Sequence, residues 1–460
     1  IVTRKRSANT ALAWLAVVAF LPFLGALAYL LFGEVRLGRR RSARYQHLAD
    51  AVRSDPALQR QFASSQQPPL SEAYRPLAAL AGAGGAREPQ PGNRLELMDD
   101  PVELFSHLAQ DIDRSTHHCH LLFYIADDSK DDAVTAEVCE ALIRARERDV
   151  DCRMLLDAAG SRHFLRGARA AALREAGVEV RAALPVSALR AAVARLDLRN
   201  HRKLCVVDGR VGYTGSHNLT DPVYPGKEAF GDWMDASVRV EGPVVYDLQE
   251  LFLHDWAFSA GAVLPDSAFF PPLRGMPGDT IASLLPTSPS MERTPLLDVI
   301  LQALQLARER VVLTTPYFVP DDSMLQAMRA AALRGVEVVL VVPKRGDHAV
   351  TQAAGRSHYG HLLGVGVQIH EYPGALLHAK TLTMDRHFAI LGSANLDVRS
   401  FSLNFELALL VYDSDFASQL HYFQAEYLEA AEPLSLDAWS RRGRLQTIGD
   451  NVARLVTPLL

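Results

Sequence analysis

The stretch HRKLCVVDGRVGYTGSHN at residues 201–218 has a counterpart in HAKTLTMDRHFAILGSAN at residues 378–395. Both stretches read HxKxxxxD followed by GSxN, and the histidine and the asparagine lie 17 residues apart in each of them. A long motif that recurs at matched spacing indicates an internal repeat rather than coincidence. The fold is therefore expected to contain two similar halves.

The segments before each motif repeat as well. In the first half, an apolar stretch at residues 120–125 is followed by a helical pattern around residues 134–148 and by a second apolar stretch at residues 152–156. The second half has the same order, at residues 311–315, 324–334 and 338–342. Strand, helix and strand at this spacing are typical of a βαβ unit. The repeat therefore predicts an α/β fold with a largely parallel sheet.

The repeated residues suit phosphoryl-type transfer, for which we expect no metal and no cofactor. His201 and Lys203 are two residues apart on a predicted strand and would project from the same face, as would His378 and Lys380. One imidazole can attack phosphorus and form a covalent intermediate, while the other protonates the leaving oxygen and then acts as base. The lysines can stabilise the charge on the phosphate oxygens. The hydroxyl and amide groups that can donate hydrogen bonds to the same oxygens belong to Ser216, Asn218, Ser393 and Asn395.

Two aspartates complete the repeated motifs and are kept with the candidate catalytic residues. Asp208 and Asp385 each lie seven residues after the histidine of their motif, an odd separation that would point them to the other face of a strand. Asp208 is also followed by Gly209, and this pair is a hairpin turn signal. We therefore expect both aspartates to shape turns more than to take part in the chemistry.

Two further carboxylates are candidates for orienting the histidines. A reactive histidine needs a partner that fixes its tautomer, as the aspartate of a serine triad does. Asp235 lies 34 residues after His201, and Glu406 lies 28 residues after His378, so they occupy comparable positions in the two halves.

On these residues the chain resembles the phospholipase D superfamily, and within it the bacterial cardiolipin synthases. The similarity includes RNHRK at residues 199–203, TPYFVP at residues 315–320, residues 392–406 and PLL at residues 458–460. It implies two tandem αβα sandwich domains related by a pseudo-twofold axis, with one active site between them. It also implies phosphatidyl transfer between two phosphatidylglycerol molecules, which gives cardiolipin and glycerol through a covalent phosphatidyl-histidine. Only the resemblance assigns the nucleophile to His201.

The N-terminal region predicts a membrane anchor. Residues 11–32 carry no charge and, as a single transmembrane helix, would span roughly 33 Å, enough for the hydrocarbon core of a bilayer. Trp14 and Tyr29 near its ends are placed like interfacial anchors. A secretory signal is the alternative, but the apolar run is longer than such signals usually are. Because the sequence begins at Ile1 rather than Met, we also expect residues upstream of it.

Flanking charges and composition predict how the rest of the chain is arranged. Five basic residues follow the apolar run and three precede it, which favours a cytoplasmic body at the bacterial inner membrane. The four cysteines include no CxxC pair, as is typical of a reducing compartment. Segments rich in Gly, Ser and Pro then predict a flexible connection. The expected organisation is a membrane anchor at residues 1–45, a linker at 46–91, and phospholipase D-like domains at 92–270 and 271–460.

Charge and motif content narrow the class of function. Residues 1–45 hold eight basic residues and one acidic residue, so the remaining chain carries 40 basic and 52 acidic residues. This acidic balance disfavours a nuclease and a nucleic-acid partner. Intact histidines and lysines disfavour a catalytically dead membrane scaffold. A phospholipase D hydrolase or another phosphatidyltransferase, such as a phosphatidylserine synthase, stays open, because the motif does not encode the acceptor alcohol. The expected partners are phosphatidylglycerol and other membrane lipids.

Overall fold

The computed structural model describes residues 8–32, 39–54, 56, 59, 70–185, 198–223 and 231–456, apart from 262, 265, 266, 274 and 292. Most of the strands among these residues join into one continuous sheet, and helices cover both of its faces.

The chain enters this sheet after a helical N-terminal region. The helices of that region are α1 (Ala8–Phe20), α2 (Pro22–Phe32), α3 (Arg39–Arg53) and α4 (Arg75–Ala83). The elements of the first half are β1 (Gln90–Met98), α5 (Pro101–Asp113), β2 (His118–Phe123), α6 (Ala133–Glu147), β3 (Asp151–Asp157), α7 (Arg162–Arg166), α8 (Ala168–Glu175), β4 (Glu179–Ala183), β5 (Arg199–Asn200), β6 (Leu204–Val207), β7 (Val211–Gly215), β8 (Trp233–Met234), β9 (Ser237–Glu241) and α9 (Val244–Ala260).

The second half repeats this order after a 3-10 turn at Ser267–Phe269. Its elements are β10 (Thr280–Thr287), α10 (Pro295–Leu306), β11 (Arg310–Thr314), β12 (Phe318–Val319), α11 (Asp322–Leu333), β13 (Glu337–Pro343), α12 (Ala349–Gly364), β14 (Gln368–Tyr372), β15 (Leu376–Leu377), β16 (Thr381–Met384), β17 (Phe388–Gly392), β18 (Leu396–Asp397), α13 (Val398–Ser402), β19 (Asn404–Val411), α14 (Ser414–Ala430), β20 (Glu432–Pro433), α15 (Leu436–Ser440) and α16 (Arg444–Val456).

The two halves have the same strand order, counted outward from the middle of the sheet. The first half runs β1-β9-β7-β6-β2-β3-β4, and the second runs β10-β19-β17-β16-β11-β13-β14, with the short β20 at its edge. β1 and β10 pair antiparallel and join the halves. The predicted α/β fold with two tandem copies is therefore confirmed, and the approximate twofold axis passes between β1 and β10.

The sheet is mixed, so the prediction of a largely parallel sheet was wrong. The βαβ units form the parallel outer parts, β2-β3-β4 and β11-β13-β14. After each motif strand the chain instead reverses direction in a short turn. β6 therefore pairs antiparallel with β7, and β16 pairs antiparallel with β17. A short turn can join only antiparallel strands, whereas a parallel pair needs a long crossover.

Three layers make up the body. α9 and α14 lie on one face and contribute to a single apolar core that runs under both halves. The opposite face has two separate cores, one with α5 and α6 and one with α10, α11 and α12. Because helices cover both faces of the sheet, its strands carry apolar side chains on both faces. In β11, Val312 faces the shared core, and Val311 and Leu313 face the opposite core.

The apolar segment at residues 11–32 is not the single helix that the sequence predicted. α1 ends at Phe20, and Pro22 begins α2, because proline lacks an amide hydrogen but fits the first turn of a helix. The chain reverses there, so the rings of Trp14 and Tyr29 lie 5.4 Å apart instead of at opposite ends. Among the described residues, the structure has no helix of sufficient length and apolar character to cross a membrane.

The segment predicted as a flexible linker also contains ordered helices. α3 packs on α9. In α4, Leu77 and Ala81 are buried in the core beside α10. The Ser- and Pro-rich stretch at residues 64–69, on which much of the linker prediction rested, lies outside the described residues. The predicted boundary between residues 270 and 271 falls in the segment that joins the two copies.

Candidate active site

Two short pairings between the halves bring the motifs together. β8 of the first half pairs in parallel with β15 of the second, and the next residues in this register are Asp235 and His378. β5 of the first half pairs in parallel with β19 of the second, and the next residues there are His201 and Glu406. Each histidine therefore lies beside a carboxylate of the other half.

The contacts follow this register. Nδ1 of His378 lies 2.6 Å from an Asp235 carboxylate oxygen, and Nδ1 of His201 lies 2.9 Å from a Glu406 carboxylate oxygen. The two carboxylates identified from the sequence thus contact the two histidines, but with the partners exchanged. Their positions after the histidines of their own halves gave no sign of this exchange, which depends on strand pairing between the halves.

The buried site keeps both histidines neutral and both carboxylates charged. Burial lowers the pKa of His378 to about 3 despite the adjacent Asp235, and burial likewise lowers the pKa of His201. Burial alone would raise the pKa of Asp235 and Glu406, but the neighbouring histidines and lysines outweigh it and lower both values. A neutral ring that donates its Nδ1 hydrogen to a carboxylate carries a lone pair on Nε2. Nε2 is therefore the nitrogen that can react on each ring.

Lys203 and Lys380 bring two ammonium groups to the site, which balance the two carboxylates. Both are buried, and each ammonium donates a hydrogen bond to the backbone carbonyl of the histidine in its own motif. Burial lowers the pKa of Lys203 to about 7 and that of Lys380 to about 8. The charge of Lys380 acts on His201 and that of Lys203 acts on His378, so the four residues share one site.

The serines of the GSxN segments support the carboxylates. The Ser393 hydroxyl donates to the Glu406 carboxylate at 2.5 Å and accepts from the Leu407 amide at 3.0 Å. The Ser216 hydroxyl accepts from the amide of Ala236, the residue after Asp235, at 2.9 Å. Ser393 therefore helps to position Glu406, and Ser216 holds the backbone next to Asp235. The predicted contact of both serines with a substrate phosphate stays a prediction.

The asparagines differ between the two halves. The side-chain carbonyl of Asn218 accepts a hydrogen bond from the Ile125 amide at 3.1 Å. The side-chain carbonyl of Asn395 is buried and has no hydrogen-bond partner among the described residues. An unsatisfied buried amide is the more suitable group to meet a polar substrate.

Asp208 and Asp385 lie in the turns after the motif strands. Both have left-handed backbones, with φ of 51° and 50°. The Asp208 carboxylate accepts backbone hydrogen bonds from Thr116, His117 and His118, each at 2.8–2.9 Å. Asp385 makes the equivalent contacts in the second half. Both carboxylates therefore hold the turn after the motif strand to the start of the neighbouring strand, which fits a structural role.

A buried network beneath His201 was missed from the sequence. Arg202 is completely buried and donates from Nη1 to both carboxylate oxygens of Asp255, at 2.6 and 2.7 Å. Its Nε donates to the backbone carbonyl of Glu406 at 3.0 Å. The Tyr45 hydroxyl of α3 lies 3.2 Å from Arg202 and 3.3 Å from Asp255. The sequence contained one indication of this network. Side chains alternate along an extended chain, so Arg202, between His201 and Lys203, points away from them into the core.

Two aromatic rings line the histidines. The Tyr124 ring is 4.8 Å from the His201 ring, and the Lys203 ammonium is 5.4 Å from the centre of the same tyrosine. Trp233 lies 4.6 Å from His378. These rings help to exclude water from the reacting nitrogens.

Comparisons with known proteins point to one family. Residues 108–256 and 300–426 match the family model described as "Cardiolipin synthase, PLD-like domain", and residues 1–34 match the one described as "Phospholipase_D-nuclease N-terminal". The curated "Cardiolipin synthase A" of Yersinia pseudotuberculosis is 34 % identical over 468 residues, with 100 % of this chain and 95 % of the relative covered. The protein of the same name from Klebsiella pneumoniae gives the same values.

Two solved structures share the fold. Phosphatidylserine synthase from Haemophilus influenzae superposes with a TM-score of 0.61 at 14 % identity, over 84 % of this chain and 100 % of that one. Polyphosphate kinase from Porphyromonas gingivalis gives a TM-score of 0.51 at 13 % identity, over 75 % of this chain and 49 % of that one. At these identities the likeness concerns the fold alone.

Proposed function

Because the chain belongs to the cardiolipin synthase family of phospholipase D-like proteins, we propose that it transfers a phosphatidyl group between two phosphatidylglycerol molecules. The products are cardiolipin and glycerol. The observation that carries this proposal is the pair of buried histidines, each bound through Nδ1 to a carboxylate of the other half and each next to a buried lysine.

In the first step, Nε2 of His201 attacks phosphorus of the first phosphatidylglycerol. The bond from phosphorus to the headgroup glycerol oxygen breaks, and protonated His378 gives its Nε2 proton to that oxygen, so glycerol leaves. The anionic phosphodiester favours the protonated form of His378 when it binds, because an adjacent negative charge raises the pKa of a histidine. Lys203 and Lys380 stabilise the charge on the phosphate oxygens.

In the second step, neutral His378 removes the proton from the headgroup hydroxyl of a second phosphatidylglycerol. The resulting oxygen attacks phosphorus, the bond from phosphorus to His201 breaks, and cardiolipin is released. Asp235 and Glu406 keep each ring in one tautomer and stabilise its positive charge while it exists. Trapping of a phosphatidyl group on His378 instead of His201 would reverse the two roles.

We place the protein at the bacterial inner membrane with its catalytic body on the cytoplasmic side. The hairpin of α1 and α2 presents large apolar side chains to its surroundings, with Phe20 85 % and Phe23 92 % exposed. Basic residues flank this hairpin in the sequence on both sides. An apolar segment between basic flanks suits attachment to a membrane that contains anionic lipids.

The test is product analysis with the purified full chain in phosphatidylglycerol vesicles. We expect cardiolipin and glycerol in equal amounts with no cytidine nucleotide lipid present. Phosphatidic acid as the main product would identify a hydrolase. Cardiolipin that forms only when CDP-diacylglycerol is added would identify a different phosphatidyltransferase.

A further inference from the structure

Helix α16 has its apolar side turned away from the protein. Leu445, Ile448, Val452 and Leu455 recur every three or four residues on one face and are 86, 57, 54 and 68 % exposed. The side that contacts the body instead carries Asp450 and Ala453, which are buried. A surface helix of a globular protein normally buries its apolar stripe and exposes its polar one. The reversed arrangement needs a partner outside the described chain.

The helix is held firmly in this orientation. Arg442, just before α16, donates to the Asp450 carboxylate at 2.8 Å and lies 3.4 Å from the centre of the Trp439 ring. Trp439 in turn lies 5.2 Å from the ring of Tyr359 on α12. Ala453 belongs to a buried cluster with Val319 and Ala354. Polar and small-residue contacts therefore fix the side that faces the body and leave the apolar stripe outward.

α16 also lies close to the candidate active site. Ala453 shares a buried cluster with Val319 of β12, and Val319 pairs with Asp397 of β18. β18 begins directly after Asn395 of the second GSxN segment. β12 and β18 thus connect α16 to the second GSxN segment.

The charge of the residues around α16 indicates what kind of surface this helix binds. The last two described helices and the segment between them, residues 436–456, contain four arginines and two aspartates, whereas the chain beyond residue 45 is acidic overall. An apolar stripe on a basic helix is typical of helices that lie in the interface of a membrane, and each basic residue near an anionic surface adds attraction. A second copy that paired through its own α16 would place the same positive excess against this one.

We propose that α16 inserts its apolar face into the surface of an anionic lipid bilayer and so docks the catalytic body beside its substrate. The inference rests on the proposed function, because a lipid substrate gives the active site a reason to stay near the bilayer. It adds a contact made by the second half of the body, separate from the N-terminal hairpin.

Site-specific fluorescence tests the contact without relying on turnover. The four native cysteines are buried, so a single introduced cysteine can be labelled on the folded full chain with an environment-sensitive dye. Ile448→Cys places the dye on the apolar face, and Thr447→Cys places it on another exposed face of the same helix as the matched control. The probes are vesicles of phosphatidylcholine with and without phosphatidylglycerol.

We expect a blue shift and protection from an aqueous quencher at position 448 with vesicles that contain phosphatidylglycerol, and neither effect at position 447. No shift at position 448 would overturn the proposal. A shift that grows with protein concentration in the absence of vesicles would also overturn it, in favour of a second copy of the chain. Equal shifts at both positions would contradict a one-sided insertion.

Turnover of variants then connects the contact to catalysis. The double variant Ile448→Asp, Val452→Asp should lose about tenfold in turnover of vesicle-bound phosphatidylglycerol, because its apolar face no longer inserts. Its turnover of a short-chain phosphatidylglycerol dispersed as monomers should be unchanged, and Thr447→Asp should behave as the wild type on both substrates. Equal losses on both substrates would overturn the docking role. A wild-type chain without any turnover would refute the proposed function and leave the fluorescence result to decide the docking.

Discussion

At the scale of single residues, orientation of the histidines depends on partners that are distant in sequence. His201 and Glu406 are 205 positions apart, and His378 and Asp235 are 143 positions apart. The histidines could be identified from the sequence because their motif recurs, and the two carboxylates because they occupy comparable positions after the histidines. Their pairing could not, because it is set by the short strands β5 and β8, which carry too little pattern to be recognised.

Glu406→Gln should lower turnover by about 10⁴-fold, the size of the effect when a triad carboxylate is replaced by its amide. The amide can present its NH₂ group to Nδ1 and so favour the wrong tautomer of His201. Steady-state kinetics with the folded variant measures this change.

Glu432→Gln is the control for that substitution, because its side chain is 58 % exposed and pairs with Lys344 at the surface. It should behave as the wild type. Turnover of Glu406→Gln within tenfold of the wild type would mean that the contact between the halves does not orient His201.

The pH dependence of kcat should be bell-shaped, because kcat reports the enzyme with substrate bound, in which the phosphodiester favours the protonated form of His378. On the acid side, activity is lost as His201 gains a proton, and its pKa lies below the usual histidine value, so this limb lies below about pH 6.5. On the alkaline side, activity falls as Lys203 and Lys380 lose their protons, with pKa values of about 7 and 8. A pH-rate profile measures both limbs. Activity that still increases at pH 9 would show that the lysine charges are not required.

At the scale of elements, the N-terminal region shows what composition can and cannot predict. The composition of residues 11–32 predicted one long apolar helix. Pro22 instead divides this segment into two short helices that fold back on each other. α3 lies across the predicted boundary between the membrane anchor at residues 1–45 and the linker at residues 46–91. Its order comes from buried contacts with the body, such as Tyr45 with Arg202 and Asp255 and Val52 with the shared core, which no local pattern reveals.

Tyr45→Phe should lower the free energy of unfolding by about 1–3 kcal/mol, because it removes one hydroxyl from a buried network of charged groups. Denaturant unfolding of the full chain measures this loss. Gln46→Ala, the exposed neighbour on the same helix, is the control and should change stability little. Equal stability of Tyr45→Phe and the wild type would show that α3 is not coupled to the network beneath His201.

At the scale of the whole molecule, the repeat predicted two copies and the family resemblance implied one shared site; the strand order confirms the copies. The mixed sheet was not predicted, because βαβ patterns dominate the sequence of each half while the antiparallel centre is made of short strands. The pairing of β1 with β10 likewise cannot be predicted from sequence periodicity.

Because the site is shared, His201→Ala and His378→Ala should each lower transfer by about 10⁴-fold or more, and their effects should not add. Nucleophile and acid-base act in the same step, so loss of either one stops the reaction. Transfer assays on the two single variants and the double variant, with circular dichroism to verify folding, measure this. A double variant far less active than either single one would indicate two independent sites.

The exchange of carboxylates between the halves has a consequence for how the protein is made. A ribosome releases the first half before the second, and domains generally fold in that order during synthesis. When His201 is added to the growing chain, the carboxylate that orients it is still 205 residues from being translated. A nascent chain already attached to a lipid surface would therefore hold an unaligned nucleophile until β19 takes its place in the sheet. Attack on the surrounding phospholipids would begin only once synthesis is nearly complete.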